Sequence, residues 1–172
     1  MHILKLLFVI PIVIIIVICL NFFSGNSEVL FAGSLAPSFS LTDQDGNTHN
    51  LVDYKEKKLV VYFFPLADTP GWIKEACGFR NVYAEFEKNN ITVIGISYDK
   101  PESLREFKDK YNLPFNFLSD RNKKVAKKFG ANGLVVPKRM TFVIDGDGKI
   151  EKIYKKVNIN THAETILEDI IK

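Results

Sequence analysis

An α/β sheet is what this chain predicts, on three observations. Leu59–Phe64 and Ile91–Ser97 are short, apolar-rich runs with the length and β-branched content of strands buried on both faces. Helix-period patterns separate or follow both runs. Pairs of alternating segments stand around glycine-bearing turns, and strands interleaved with helices assemble as an α/β sheet.

Leu6–Phe23 is without charge and rich in Ile, Val, Leu and Phe; as a helix it reaches about 27 Å at 1.5 Å per residue, nearly the thickness of a bilayer core. His2 and Lys5 precede it and the next Lys or Arg is Lys55, so the positive-inside bias puts the N-terminus in the cytoplasm and the rest outside. Residues 1–23 are therefore expected to be a transmembrane anchor that uses residues 6–23 to hold the domain on the extracytoplasmic side. A cleaved signal peptide, with a secreted or periplasmic product, is the alternative. Ser34-Leu35-Ala36 lies far from the apolar run, and cutting there leaves Pro37 first, which favours the anchor.

Residues 24–35 read as a tether and 36–172 as one folded domain. Ser38–Leu41 and Thr48–Leu51 alternate around Asp45-Gly46-Asn47 as a hairpin, and Met140–Asp145 and Ile150–Tyr154 do so around Gly146-Asp147-Gly148. Asp99 with Glu102 and Thr161 with Glu164 have capping-box spacing, opening helices near 100–111 and 162–171. Asp120 is expected to cap a third helix that ends at Phe129-Gly130.

Composition narrows the function. A chain of 172 residues with 47% apolar content supports one packed domain plus an appendage. The net charge is +3 with lysines interleaved among acids, which gives no support to nucleic-acid binding; Lys123-Lys124 and Lys127-Lys128 read as a solvated helix face. His2, His49 and His162 show no metal-ligand spacing, so no metal or cofactor is expected. Cys19 sits in the apolar run and Cys77 is the domain's one thiol, which argues against a disulfide reductase built on a C-x-x-C pair.

Pro65-Leu66-Ala67-Asp68-Thr69-Pro70-Gly71-Trp72-Ile73-Lys74-Glu75-Ala76-Cys77 is the stretch that points to chemistry. Thr69 as N-cap and Pro70 at the first helical position make an abrupt strand-to-helix turn, and Gly71 lets a small molecule come close to the backbone. Free N–H groups are expected around residue 72, where a helix N-terminus favours an anion and lowers the pKa of a thiol. Position 72 is tryptophan. At 100° per residue, Trp72 shares a face with Ala76, Phe79, Tyr83 and Phe86, an apolar stripe suited to packing on the sheet. Cys77, five residues on, is turned by about 140° and raised by about 7.5 Å, so it faces away from that side.

This stretch resembles the active-site segment of peroxiredoxins of the bacterioferritin comigratory, or Q-type, group. Their pattern P-x-x-x-T-x-x-C is met by Pro65 and Thr69, and Asp68-Thr69-Pro70-Gly71, Lys74-Glu75-Ala76-Cys77 and Phe79-Arg80 match their D-T-P-G-C-T-K-E-A-C-x-F-R. Ala36-Pro37, Val93–Ser97, Phe142–Asp145 and Gly148-Lys149-Ile150 support the match. The resemblance implies a thioredoxin-like fold with a central mixed sheet flanked by helices. It further implies reduction of hydrogen peroxide or organic hydroperoxides, with a thioredoxin-like protein as electron donor. By the same match Trp72 stands where the attacking cysteine belongs, Cys77 occupies the resolving position, Arg139 is the arginine that polarises the peroxide, and Pro65 and Gly71 line the substrate pocket.

The missing nucleophile leaves alternatives open. Trp72 either fills the pocket or takes part in redox chemistry, and an indole, which cannot become a thiolate, favours filling. Arg139 either keeps its polarising role or pairs with an acid or stacks on Trp72. Cys77 is either a half-buried helix residue or a slow thiol. The expected activity is a reduced peroxidase, and the competing reading is an inactive binding or scaffold module of the cell envelope.

Overall fold

The computed structural model describes residues 29–171. The expected anchor, residues 1–23, lies outside the described residues; among those described, no helix is long and apolar enough to cross a membrane. Seven strands form one sheet: β1 (Ser40–Asp43), β2 (Thr48–Asn50), β3 (Lys58–Phe63), β4 (Ile91–Ser97), β5 (Asn116–Ser119), β6 (Met140–Ile144) and β7 (Ile150–Tyr154), in the order β2-β1-β5-β4-β3-β6-β7. β3, β4 and β5 run parallel, while β1, β6 and β7 join antiparallel, so the sheet is mixed as expected. Both hairpins form at the anticipated turns.

Alternation along β3 divides the interior in two. Val60 and Tyr62, with Phe64 just beyond, face α1 (Pro70–Asn81), α2 (Tyr83–Lys88), α3 (Pro101–Lys110) and α5 (His162–Ile170). Leu59, Val61 and Phe63 face the opposite layer, where α4 (Lys124–Lys128) contributes Val125 and Ala126. A strand covered on both faces reads as a continuous apolar run, which is why Leu59–Phe64 was legible. Gly95 on β4 gives the aromatic layer its room: a Cβ there would lie 2.8–3.0 Å from Phe117, Phe64 and Tyr62.

Three local expectations are corrected. Asp99 is not a cap: α3 begins after Lys100 with Pro101 inside its first turn, and the Asp99 carboxylate accepts bonds from the Ala67 N–H (2.9 Å) and the Ser97 hydroxyl (2.9 Å). Thr161 does precede α5, but its side chain makes no capping bond. The folded unit also begins before Ala36. The Gly33 N–H donates to the Ile150 carbonyl (2.7 Å), the Ile150 N–H to the Ser34 carbonyl (2.8 Å), and Leu35 bridges Lys149. Asp120 meets its expectation in part: the N-cap residue of α4 is Lys123, but the Asp120 carboxylate accepts from the N–H groups of Val125 and Ala126 in its first turn.

Candidate active site

The site forms where β3 ends and α1 starts. Phe64 still pairs with β4, its N–H donating to the Ile96 carbonyl (3.0 Å), and the half-buried Pro65 opens the turn that follows. That turn is pinned at two points. Asp99 holds Ala67, and Asp68, in a left-handed conformation at φ 61°, accepts bonds from Lys110 and the Tyr111 hydroxyl (2.6–3.0 Å) at the end of α3. Thr69 is the N-cap residue and Pro70 follows it inside the helix, as the residue types require.

The helix start is less open than its sequence suggests. The Thr69 hydroxyl donates to the Leu66 carbonyl (3.3 Å) and makes no capping bond. The Trp72 N–H donates to the Thr69 carbonyl (2.8 Å), so it is not free for an anion. Gly71 is indeed a close-approach position, but the visitor is protein: a Cβ there would sit 3.4 Å from an Arg139 guanidinium nitrogen and 3.9 Å from Ile159.

Trp72 is 1% exposed. Its ring lies 4.9 Å from Phe64 and 6.3 Å from Tyr62, centroid to centroid, in the same apolar layer as Ala76, Phe79 and Phe86. The Arg139 guanidinium covers it at 4.4 Å from the ring centroid. Of the two readings for Arg139, the structure holds both parts of one: it stacks on Trp72 and pairs with an acid, Glu75, at 3.5 Å.

Glu75, His162 and Thr141 are residues that sequence reasoning missed as a group. Glu75 is 2% exposed, and its carboxylate accepts no hydrogen bond among the described residues; the Arg139 guanidinium (3.5 Å) is the charge beside it, and His162 Nε2 lies 3.7 Å away. Burial pushes its pKa up to about 7 against the pull of Arg139. His162 is buried with Nε2 2.8 Å from the Thr141 hydroxyl, and burial, with Arg139 close by, lowers its pKa to about 4. Tyr62 is raised well above the ordinary phenol by burial and by Glu75. The available signal was an acid three residues after Trp72, which places a carboxylate on the apolar face of α1.

Cys77 lies on the other side of α1. It is half-buried in an open groove with Pro70, Ile73, Gly78, Asn160 and Glu164, and neither Thr69 nor Arg139 lines that groove. The expected constellation therefore divides: Trp72, Gly71 and Arg139 meet, while Cys77 does not join them. Among the described residues no cluster of His, Cys, Asp and Glu is arranged to hold a metal.

The AhpC/TSA family matches residues 32–153. The chain is 42% identical to peroxiredoxin Bcp of Escherichia coli over 146 residues, covering 80% of this chain and 94% of that one. It is 46% identical over 125 residues to the chloroplastic peroxiredoxin Q of Oryza sativa subsp. japonica, covering 71% of this chain but only 58% of that relative's length. Among solved structures, peroxidoxin BcpB of Mycobacterium tuberculosis superposes with a TM-score of 0.78 at 33% identity, covering 84% of this chain and 99% of that one. A mutant of PrxQ from Xylella fastidiosa gives 0.79 at 27% identity, with 83% and 96% covered. A shared thioredoxin-like fold and this identity over most of the domain place the chain in the AhpC/TSA family, among the peroxiredoxins of the Q and Bcp group.

Proposed function

We propose that the chain is a thiol peroxidase that reduces hydrogen peroxide or organic hydroperoxides through Cys77, at a much reduced rate, with a thioredoxin-like protein as electron donor. The observation that carries this is the position of Cys77: it is the free cysteine of the described residues and opens onto a groove that a small hydroperoxide can enter. Its thiolate attacks the distal peroxide oxygen, the O–O bond breaks, and the alcohol or water leaves with the second oxygen, giving a sulfenic acid. A donor thiol condenses with the sulfenic acid, releasing water, and the donor's second thiol displaces the mixed disulfide and returns Cys77 reduced. The rate is low because Cys77 stands past the first turn of α1, where the helix dipole helps little, and away from Arg139. The place the family resemblance gives to the attacking cysteine is taken by Trp72.

A second reading is favoured by the burial of Trp72 beneath Arg139: the domain is a binding or scaffold module with no peroxidase chemistry. Stopped-flow oxidation of Cys77 by hydrogen peroxide separates the two. A rate above that of a free thiol supports the enzyme, and a rate no faster than free cysteine leaves the module. The uncharged run of residues 6–23 further supports an extracytoplasmic, membrane-anchored domain.

A further inference from the structure

The two ends of β3 differ in what they expose. Its C-terminal end feeds the site through Phe64 and Pro65. Its start, at Lys58, adjoins the 3-10 turn Leu51–Tyr54 and the β6–β7 turn, where the Glu56 N–H donates to the Gly146 carbonyl (3.1 Å). The incoming chain is fastened at this second pole by Gly33, Ser34 and Leu35 against Lys149 and Ile150. There Leu35, Ala36, Leu51, Val52, Tyr54 and Ile144 line an apolar hollow of about 180 Å³. Leu35 is 70% exposed and Val52 62%, and the fastened segment also carries Val29 and Phe31, 81% and 65% exposed.

We propose that this pole is a membrane-docking face that rests on the lipid surface and turns the site away from it. The inference rests on reading residues 6–23 as a bilayer span. Only residues 24–28 separate that run from the described chain. From Phe23 to Val29 is six steps, about 21 Å when fully extended, so a span that ends at Phe23 holds the start of the described chain within that distance of the bilayer surface. Large apolar side chains held at that distance lose water by entering the interface, which is favourable in proportion to the apolar area removed. The pole is not basic: Lys55, Lys57 and Lys149 are offset by Asp53, Glu56 and Asp147. Attraction is therefore hydrophobic and does not require anionic lipid. β3 separates the pole from the site by roughly 20 Å, at about 3.3 Å per residue, so a soluble reductant reaches the site from the aqueous side.

Leu134 and Val135, 93% and 74% exposed, supply an internal control. They precede β6, whose first residue pairs with the last residue of β3, and so lie at the site's end of the sheet. The full chain carrying Cys19→Ser and Cys77→Ser receives one new thiol, Val52→Cys, Phe31→Cys or Leu134→Cys. Each is labelled with an environment-sensitive fluorophore and reconstituted in phosphatidylcholine vesicles with or without a quencher-bearing lipid. The expected result is loss of most emission at 52 and 31 with quenching lipid, little loss at 134, and no change in high salt. Protein that floats with the vesicles but is quenched equally at all three positions, or at none, overturns the docking face and leaves the anchor standing. Protein that fails to float overturns the anchor and the docking face together.

Discussion

The guanidinium of Arg139 lies over the indole of Trp72, 4.4 Å from its ring centroid, and the same guanidinium reaches Glu75 at 3.5 Å. One cation thus covers the buried indole and partners the one acid on the buried face of α1. Its role is set by what surrounds it.

Replacing the indole tests whether the pocket keeps its shape. Trp72→Cys removes a fully buried aromatic and is expected to cost about 3–5 kcal/mol, so folding is checked first by circular dichroism and urea titration. A folded variant gains a thiol in the first turn of α1 beside Arg139. Peroxide should oxidise it faster than the parent's thiol and yield a disulfide with Cys77 once the helix unwinds locally. A folded variant no more reactive than free cysteine shows that the surroundings of Thr69 and Arg139 no longer activate a thiol.

Cys77→Ser is expected to abolish any peroxide consumption, since the thiolate is the reactive species and no other free cysteine stands among the described residues. Turnover is followed by peroxide loss with a thioredoxin-like donor. Unchanged turnover places the activity elsewhere.

Glu75 gives stability a pH dependence of known sign. Its pKa rises from 4.5 unfolded to about 7 folded, so the fold favours the protonated carboxyl. That contribution is complete below pH 4.5 and is lost as pH rises through about 7, by about 3 kcal/mol for a shift of this size. Glu75→Gln should therefore lose less stability than the parent between about pH 5 and pH 8 in urea titrations. An identical pH profile in the two proteins removes this account.

His162 contributes the opposite slope. Its pKa falls from 6.5 to about 4, so the fold favours the neutral ring, and this stability is present above pH 6.5 and lost as pH falls through about 4. Because Glu75 titrates in an overlapping range, His162→Gln is best compared in a Glu75→Gln background. The double variant should lose less stability on acidification than Glu75→Gln alone, and an unchanged acid limb counts against a buried neutral His162.

The location proposal has its own check. A reporter active only outside the cytoplasm, fused after Lys172, is expected to be active, and activity of a cytoplasm-only reporter at the same point reverses the topology.

From the sequence alone came six of the seven strands, all but β5, together with both hairpins, the Thr69–Pro70 helix start and the membership in a thiol-peroxidase family. These depend on local chemistry: period-2 alternation, two-sided apolar runs, turn glycines and the fixed φ of proline act over a few residues and appear in them. The rotation of Cys77 away from Trp72 was legible too, being a property of one helix. Tertiary structure alone decided what occupies the space around α1. Arg139 arrives from the segment before β6, His162 from α5 and Thr141 from β6, so no spacing along the chain announces that they surround Glu75. The same holds for Asp99, whose capping-box spacing with Glu102 was overridden by Ala67 and Ser97. A carboxylate accepts from whichever donor the packed fold brings nearest, and burial then sets its charge.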